Sequence, residues 1–201
     1  MEQELKLALR RPSELGRLLE TLPEPREVIR QANHYLVCVD DRTLRAAVMV
    51  RLRIEEREGN ATACLTLKRR LRADEGVFLS WELEEAVPIQ DARAVTESGA
   101  ELMSLANPCT LWLARELEVQ ALRVQGTLLN VRHVVEYEGF ILEVDRSEFP
   151  DGSVDVEIEV ETEDPEGARR ALTDLTDRVG IALFQQNTGK YTRYLKRGGQ
   201  R

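Results

Sequence analysis

Hydrophobic and polar positions alternate with period two along most of this chain. At the N-terminus Glu2, Glu4 and Lys6 share one parity and Leu5, Leu7 and Leu9 the other. That pattern predicts a strand with two unlike faces. The alternation returns at about residues 32–39, 47–55, 62–70, 78–87, 126–137, 139–146 and 153–162. Within 47–55, Val48, Val50, Leu52 and Ile54 oppose Arg51 and Arg53. Within 62–70, Leu65 and Leu67 oppose Thr66, Lys68 and Arg70, and within 78–87, Trp81 and Leu83 oppose Glu82 and Glu84. Glu58-Gly59-Asn60, Glu138-Gly139 and Pro150-Asp151-Gly152 read as turns.

Helical spacing appears between these segments. Pro12-Ser13-Glu14 opens a helix with Ser13 as its N-cap and Leu15, Leu18, Leu19 and Leu22 as its apolar face; Pro23 and Pro25 end it. Asp91 caps a second helix reaching about Leu105, and Pro108 starts a third reaching about Leu117. A last helix spans about Pro165 to Phe184, with Ala171, Leu172, Leu175, Val179 and Leu183 on one side. The expected fold is α+β: about eight strands, mostly sequential and hence antiparallel, with helices inserted between them. One domain over residues 1–195 and a loose polar tail over 196–201 complete the outline.

Composition narrows the function classes. With 201 residues, 42% of them hydrophobic, the chain can bury a single core. Its 32% of charged residues exceeds the ~25% usual for globular chains. The formal net charge of −8 argues against non-specific binding to nucleic acid or an anionic membrane. No apolar run approaches the ~20 residues of a membrane span. Met1-Glu2-Gln3-Glu4 has neither the basic nor the apolar region of a signal peptide. Cys38, Cys64 and Cys109 form no C-x-x-C pair, so no disulfide framework is expected and a reducing cytoplasm fits. Two histidines, His34 and His133, rule out His-rich zinc chemistry and leave little for a Ser-His-Asp triad. Any metal would need oxygen ligands.

The polar parity carries the chemistry. A solvated strand face mixes uncharged and charged residues, but here like charges recur at i, i+2. Arg51 and Arg53, Glu82 and Glu84, Glu143 and Asp145, and Asp155, Glu157, Glu159 and Glu161 are such sets, with Lys68 and Arg132 on other strands. Both members of an i, i+2 pair point the same way, and like charges on one face repel unless opposite charge lies between them. Solvent resolves one such pair. Six or more such strands point instead to a closed barrel, charged inside and apolar outside, with helices over the apolar surface. Acidic arcs then call for divalent cations, Mg²⁺ or Mn²⁺, and basic arcs for a phosphate-rich anion.

These residues resemble a known family. Glu2-Gln3-Glu4-Leu5-Lys6 is similar to the E-x-E-x-K signature of the CYTH superfamily, the triphosphate tunnel metalloenzymes. Gln31-Ala32-Asn33-His34-Tyr35 resembles its second-strand segment, Val50-Arg51-Leu52-Arg53-Ile54 its R-x-R strand and Leu65-Thr66-Leu67-Lys68 its single-lysine strand. Glu82-Leu83-Glu84 resembles the central E-x-E, and Asn130-Val131-Arg132 sits where the family has an arginine. Leu142-Glu143-Val144-Asp145 with Asp155-Val156-Glu157-Ile158-Glu159 is similar to the D…E-x-E set, and Gly189-Lys190-Tyr191-Thr192-Arg193 to the closing Lys-x-x-Arg. E-x-E-x-K alone is common in charged chains; the ordered series over residues 2–195 is specific. Two departures stand out. Leu36-Val37-Cys38 replaces the Phe-Asp-Thr often found after the second-strand tyrosine, and Ser80 lies near the place of a basic residue that often precedes the central E-x-E.

The resemblance implies an eight-stranded antiparallel β-barrel, a tunnel with a charged interior covered by helices, that binds a triphosphate lengthwise. It implies Glu2, Glu4, Asp145, Glu157 and Glu159 as metal ligands. Lys6, Arg51, Arg53, Lys68, Arg132, Lys190 and Arg193 would bind substrate, and Glu2, Glu4, Lys6, Lys68, Glu82 and Glu84 form the catalytic set. The implied activity is Mg²⁺- or Mn²⁺-dependent hydrolysis of the terminal phosphate, with inorganic triphosphate the first choice of substrate. The alternatives are thiamine triphosphate, disfavoured by Val48-Met49-Val50 beside the R-x-R strand, and a class IV-type adenylate cyclase acting on ATP. A polyphosphate- or nucleotide-binding module without turnover is the non-enzymatic alternative, and both E-x-E pairs argue against it. The partner is a small-molecule triphosphate, with neither nucleic acid nor membrane, and the chain is a monomer or homodimer. Outside this set, Glu143, Asp155 and Glu161 read as rim charges, Arg69 and Arg70 as solvated, and Glu55-Glu56-Arg57-Glu58 as a hairpin tip. His133 faces a covering helix, Trp81 and Trp112 pack helix against barrel, and Cys38 and Cys64 fill strands.

Overall fold

The computed structural model describes residues 1–199. Nine strands run β1 Glu2–Leu9, β2 Glu27–Val37, β3 Met49–Arg57, β4 Asn60–Asp74, β5 Val77–Val87, β6 Arg123–Tyr137, β7 Phe140–Glu148, β8 Val154–Glu161 and β9 Leu183–Gln185. Six α-helices run α1 Leu15–Thr21, α2 Arg42–Arg45, α3 Ile89–Ser98, α4 Pro108–Glu116, α5 Pro165–Val179 and α6 Lys190–Lys196. The sheet order is β5-β4-β3-β2-β6-β7-β8-β1, and a further β1–β5 pairing closes it into an antiparallel eight-stranded barrel. Closure removes the unpaired edges of an open sheet.

The seam of the barrel lies along β1. One side of β1 pairs with β8. The other is shared: residues Glu2–Leu5 pair with β5, and Leu7–Leu9 pair with β9. Between the two, the Lys6 N–H donates to the Gly76 carbonyl at 2.7 Å, and the Gln186 N–H donates to the Lys6 carbonyl at 3.1 Å. Gly76 has φ +79°, and a Cβ there would lie 2.8 Å from the Lys6 carbonyl oxygen. Only glycine lets the β4–β5 turn come this close.

The apolar parity faces outward, so the core lies between barrel and helices. Leu5, Leu7, Val144, Val156, Ile158 and Val160 pack with Leu18 of α1 and with Ala168, Leu172 and Leu175 of α5. Val50, Leu52, Leu65 and Leu67 pack with Ala92 and Val95 of α3 and with Cys109 and Leu113 of α4. Trp81 and Trp112, 4.9 Å apart, border this second cluster as the sequence predicts. A smaller cluster joins Tyr35, Leu128 and Phe149 to Tyr194 of α6. No helix among the described residues is long and apolar enough to cross a membrane.

Several boundaries differ from the sequence-based expectation. Strand β2 begins at Glu27 rather than near residue 32. Residues Pro12–Glu14 form a 3₁₀ turn, and α1 starts after Glu14 without a side-chain cap, so Ser13 is not its N-cap. The N-cap position of α3 is Pro88, which places Asp91 inside the first turn, where its charge favours the helix dipole. Helix α3 stops at Ser98 because Gly99 adopts a left-handed conformation, and Leu102–Ser104 is a separate 3₁₀ turn. Helix α5 likewise ends at Val179, before the left-handed Gly180, and Leu183 and Phe184 belong to β9. His133 is half-buried on β6. Helix α6 runs to Lys196, and Arg197 bonds to Ser153 and Asp155, so packed structure continues past residue 195. Gln200 and Arg201 of the expected tail lie outside the described residues.

Leu172 is fully buried between α5 and the barrel. Leu172→Ala is expected to lower unfolding free energy by about 2–5 kcal/mol, the usual cost of a large-to-small core change. Chemical denaturation measures it.

Candidate active site

The barrel encloses a cavity of about 890 Å³ lined by the polar parity of its strands and by the first turn of α6. One wall is basic. Alternation on β3 directs Arg51 and Arg53 inward together. Arg53 Nε donates to Asn33 Oδ1 at 2.9 Å. Arg51 Nη2 donates to Thr66 Oγ1 at 3.2 Å, and the Thr66 hydroxyl donates to Glu84 Oε2 at 2.7 Å. Arg51 Nε is buried without a hydrogen-bond partner. Burial, then the charges of Arg51 and Arg132, push the Arg53 guanidinium below its ordinary pKa.

The adjoining wall, on β4, β5 and β1, is acidic. Lys68 Nζ from β4 sits between Glu2 of β1, at 2.5 Å, and Glu82 of β5, at 2.9 Å. Burial, aided by a hydrogen bond to Glu82, pushes Glu2 up to about 8. Burial acts upward on Glu82 too, but the hydrogen bond from Glu2 and the charge of Lys68 overcome it and bring Glu82 down to about 2. The two carboxyls therefore hold one proton between them at neutral pH. Glu4 is buried beside Lys6 at 2.8 Å, and burial with the neighbouring Glu159 raises its pKa.

Beneath the cavity lies a denser cluster. Asp145 of β7 and Glu157 and Glu159 of β8 are all buried and offer carboxylate oxygens within 4.8 Å of one another. Arg132 grips Asp145 with two hydrogen bonds, of 2.8 and 2.6 Å, donates to Glu159 at 2.8 Å and contacts Glu143. Lys190 of α6 reaches Asp145 at 2.7 Å, Glu157 at 2.5 Å and Glu159 at 2.8 Å. Burial acts upward on Asp145 and Glu159, but Lys190 and the neighbouring bases prevail and hold both below the usual carboxylate range.

Most residues singled out in the sequence meet here. Glu2, Glu4, Lys6, Arg51, Arg53, Lys68, Glu82, Glu84, Arg132, Glu159 and Lys190 line the cavity. Asp145 and Glu157 lie behind its wall, joined to it through Lys190. Arg193 is the exception. Its guanidinium contacts Asp155 and donates to Glu157 at 2.5 Å, so it fastens α6 to β8 instead of facing the cavity.

Other cavity residues escaped the sequence reading. Glu143 is no rim charge: it contacts Arg132, and burial pushes it up to about 7 against that arginine. Arg70 lines the cavity with its guanidinium 5.0 Å over the Phe78 ring, and Glu55 and Arg57 extend the wall of β3. Cys64 and Glu161 also line it. Their parity matches that of Lys68, Arg53 and Glu159, which was the available signal. Tyr35 is buried on the same parity as Gln31 and Asn33, with its ring centroid 4.6 Å from that of Tyr191.

The donor set fits a hard divalent cation. All candidate ligands are carboxylates, and buried Glu4 Oε2, Glu82 Oε2 and Glu157 Oε1 each have a lysine ammonium nearby, at 2.8, 2.9 and 2.5 Å, but no directed hydrogen bond.

Comparisons with known proteins agree with this picture. The family model described as CYTH domain matches residues 1–190. HpAC1 from Hippeastrum, a candidate adenylyl cyclase with a dominant triphosphatase activity, superposes with a TM-score of 0.90 at 27% identity. That alignment covers 98% of this chain and 96% of HpAC1. A candidate adenylate cyclase from Bacillus halodurans shares the fold at 24% identity and TM-score 0.68, over 96% of this chain and 99% of its own. A Pyrococcus horikoshii protein does so at 17% identity and TM-score 0.59, over 96% and 98%. Curated protein sequences give no match. With the family model spanning all eight barrel strands and the cavity they enclose, this chain belongs to the CYTH domain family.

Proposed function

We propose that this protein hydrolyses the terminal phosphoanhydride of a triphosphate held lengthwise in the tunnel. Inorganic triphosphate is the first choice of substrate and Mg²⁺ or Mn²⁺ the cofactor. The observation that carries the reading is the group of Arg51, Arg53 and Arg132 around one cavity, with burial and mutual repulsion lowering the pKa of Arg53. Guanidiniums crowded in this way are relieved by a polyanion, and a triphosphate brings about four to five negative charges. The activity named for HpAC1 supports hydrolysis over cyclisation.

The chain's own residues divide the work. Arg51 and Arg53 present planar forks to phosphate oxygens, and Glu84 acts through Thr66 to orient Arg51. Glu2 and Glu82 hold Lys68 toward the cavity. Glu2 and Glu4 on one side and Asp145, Glu157 and Glu159 on the other are the residues that would hold divalent cations. When bound, such an ion neutralises phosphate charge and makes a water more acidic. The partner is thus a small molecule, and the protein works as a monomer or homodimer.

A second reading rests on the apolar part of the cavity lining, which includes Leu44, Val48, Met49, Tyr191 and Leu195. Apolar lining suits an organic substituent, as in thiamine triphosphate or in ATP undergoing cyclisation. Phosphate release from inorganic triphosphate, thiamine triphosphate and ATP, with Mg²⁺, Mn²⁺ or chelator, tests both. Metal-dependent release fastest from inorganic triphosphate is expected. Preference for an organic triphosphate, or formation of cyclic AMP from ATP, would transfer the assignment to the second reading.

Arg53→Ala is expected to lower kcat/KM by roughly 10²–10³-fold, the scale of losing one charge-stabilising group, with the circular dichroism spectrum unchanged. An active variant would remove Arg53 from the site.

Stability should depend on pH in chelator. Glu143 at about 7 and Glu2 at about 8 both lie above the ordinary 4.5. Such groups favour the folded state while protonated, so their contribution is present below about 4.5 and lost as pH rises through 7 and 8. Melting temperature is therefore expected to fall between pH 5 and 8.5, and more shallowly in Glu143→Gln.

A further inference from the structure

The carboxylates beneath the cavity already hold a cation, and it belongs to the chain. Lys190 Nζ lies 2.7 Å from Asp145 Oδ2, 2.5 Å from Glu157 Oε1 and 2.8 Å from Glu159 Oε1. Arg132, Lys6 and Arg193 also neutralise this cluster. However, Arg132 reaches only Asp145 and Glu159, Lys6 only Glu159, and Arg193 only Glu157. Lys190 alone meets all three.

The fit of the ammonium is incomplete. It donates well-directed hydrogen bonds to Asp145 Oδ2 and Glu159 Oε1. Glu157 Oε1, on a residue 1% exposed, is left without one although Nζ is 2.5 Å away. A metal ion has no fixed donor directions of this kind, so it can satisfy the third oxygen where an ammonium does not. An ion ligated by those same oxygens and the ammonium cannot occupy the place together.

The route out is short. Lys190 is the first residue of α6, and the helix is fastened independently of it. Arg193 contacts Asp155 and Glu157, Arg197 donates to Asp155 at 2.9 Å, and the Tyr191 hydroxyl donates to Gln125 Oε1 at 2.9 Å. Tyr194 sits over Gly126, where a Cβ would come within 1.9 Å of its hydroxyl. The helix can stay while the flexible four-carbon stem turns into the cavity that Lys190 already lines.

We propose that the Lys190 ammonium is a resident surrogate for the divalent cation, and that metal binding to Asp145, Glu157 and Glu159 displaces it into the cavity beside Arg51 and Arg53. This rests on the reading of the carboxylates as a metal centre, and it adds an order of events. The metal enters first, and its entry releases one more base to meet the triphosphate. Without metal, Lys190 is committed to carboxylates and contributes nothing to anion binding.

The test needs no turnover. Mn²⁺ binding is followed by electron paramagnetic resonance of the free ion, in wild type, Lys190→Met and Lys196→Met. Lys196 is exposed, so its variant removes the same charge away from the cluster. About tenfold tighter Mn²⁺ binding is expected in Lys190→Met and little change in Lys196→Met. Equal binding by the two variants, or no binding by either, overturns the proposal. In parallel, wild-type protein is acetylated with acetic anhydride, with and without saturating Mn²⁺, and labelling is read by mass spectrometry. Several-fold more label on Lys190 with Mn²⁺, at constant label on Lys196, is expected; unchanged Lys190 labelling overturns the proposal even if Lys190→Met fails to fold. Displacement of Lys190 without triphosphate hydrolysis would sink the hydrolase reading alone. Hydrolysis with an unmoved Lys190 would sink this one alone.

Discussion

The lattice of ion pairs inside the barrel, with Arg132 at its centre, is the constraint on which the rest of the structure depends. Arg132 spans Asp145, Glu159 and Glu143, and through Glu159 connects to Lys6 and Lys190. Each ion taken out of water costs several kcal/mol unless partners with good geometry surround it. A barrel supplies such partners because strands on opposite sides direct their inward parity into one small volume. The same parity rule sends Leu65, Leu67, Val144 and Ile158 outward, where they would face water. Helices α1 and α5 on one side and α3 and α4 on the other are therefore required by the charged interior.

The lattice is deliberately uneven in its pairing. Around Asp145 nearly every charge, Arg132 included, has a partner, whereas on β3 Arg51 and Arg53 stand side by side, Arg51 Nε has no acceptor and Arg53 is destabilised by burial and by the neighbouring guanidiniums. On the acidic side Glu4 Oε2 and Glu82 Oε2 have only a lysine ammonium at 2.8 and 2.9 Å and no directed hydrogen bond. Buried polar groups normally find well-directed partners, so on the proposed reading these incompletely bonded groups of both signs are where ligands of both signs would complete the structure.

The barrel was legible because its inward and outward parities differ so sharply. Period two identifies a strand, and charge on one parity over so many strands leaves few architectures besides an inside-out barrel. What was not legible has local causes. Helix α6, Lys-Tyr-Thr-Arg-Tyr-Leu-Lys, is a single short helix without apolar periodicity, and β9 has three residues held by the β1 seam rather than by their own pattern. Arg70, Glu55 and Arg57 were discounted for lying near turns, but β3 and β4 run on to Arg57 and Asp74, so these positions still sit on barrel wall. Arg193 shows the opposite limit. Its spacing from Lys190 matches a family pattern, yet which of the two meets the cavity depends on how α6 seats against Gly126 and Asp155, a tertiary fact that spacing does not carry.

A net charge of −8 and the proposed polyanion site are compatible because the two act at different ranges. At physiological ionic strength charges separated by more than about 8 Å are largely screened, so an entering phosphate responds to the wall beside it more than to the whole molecule. Inside, screening is weak and charge must balance locally. Adding a triphosphate to the guanidiniums leaves the carboxylates of β1, β7 and β8 facing more negative charge, and adding a divalent ion to the carboxylates leaves Lys190 and Lys6 in excess. Each ligand alone unbalances the lattice, and the two together restore it. On the proposed reading, binding of metal and triphosphate in this tunnel is therefore mutually favourable, and the coupling must act equally in both directions.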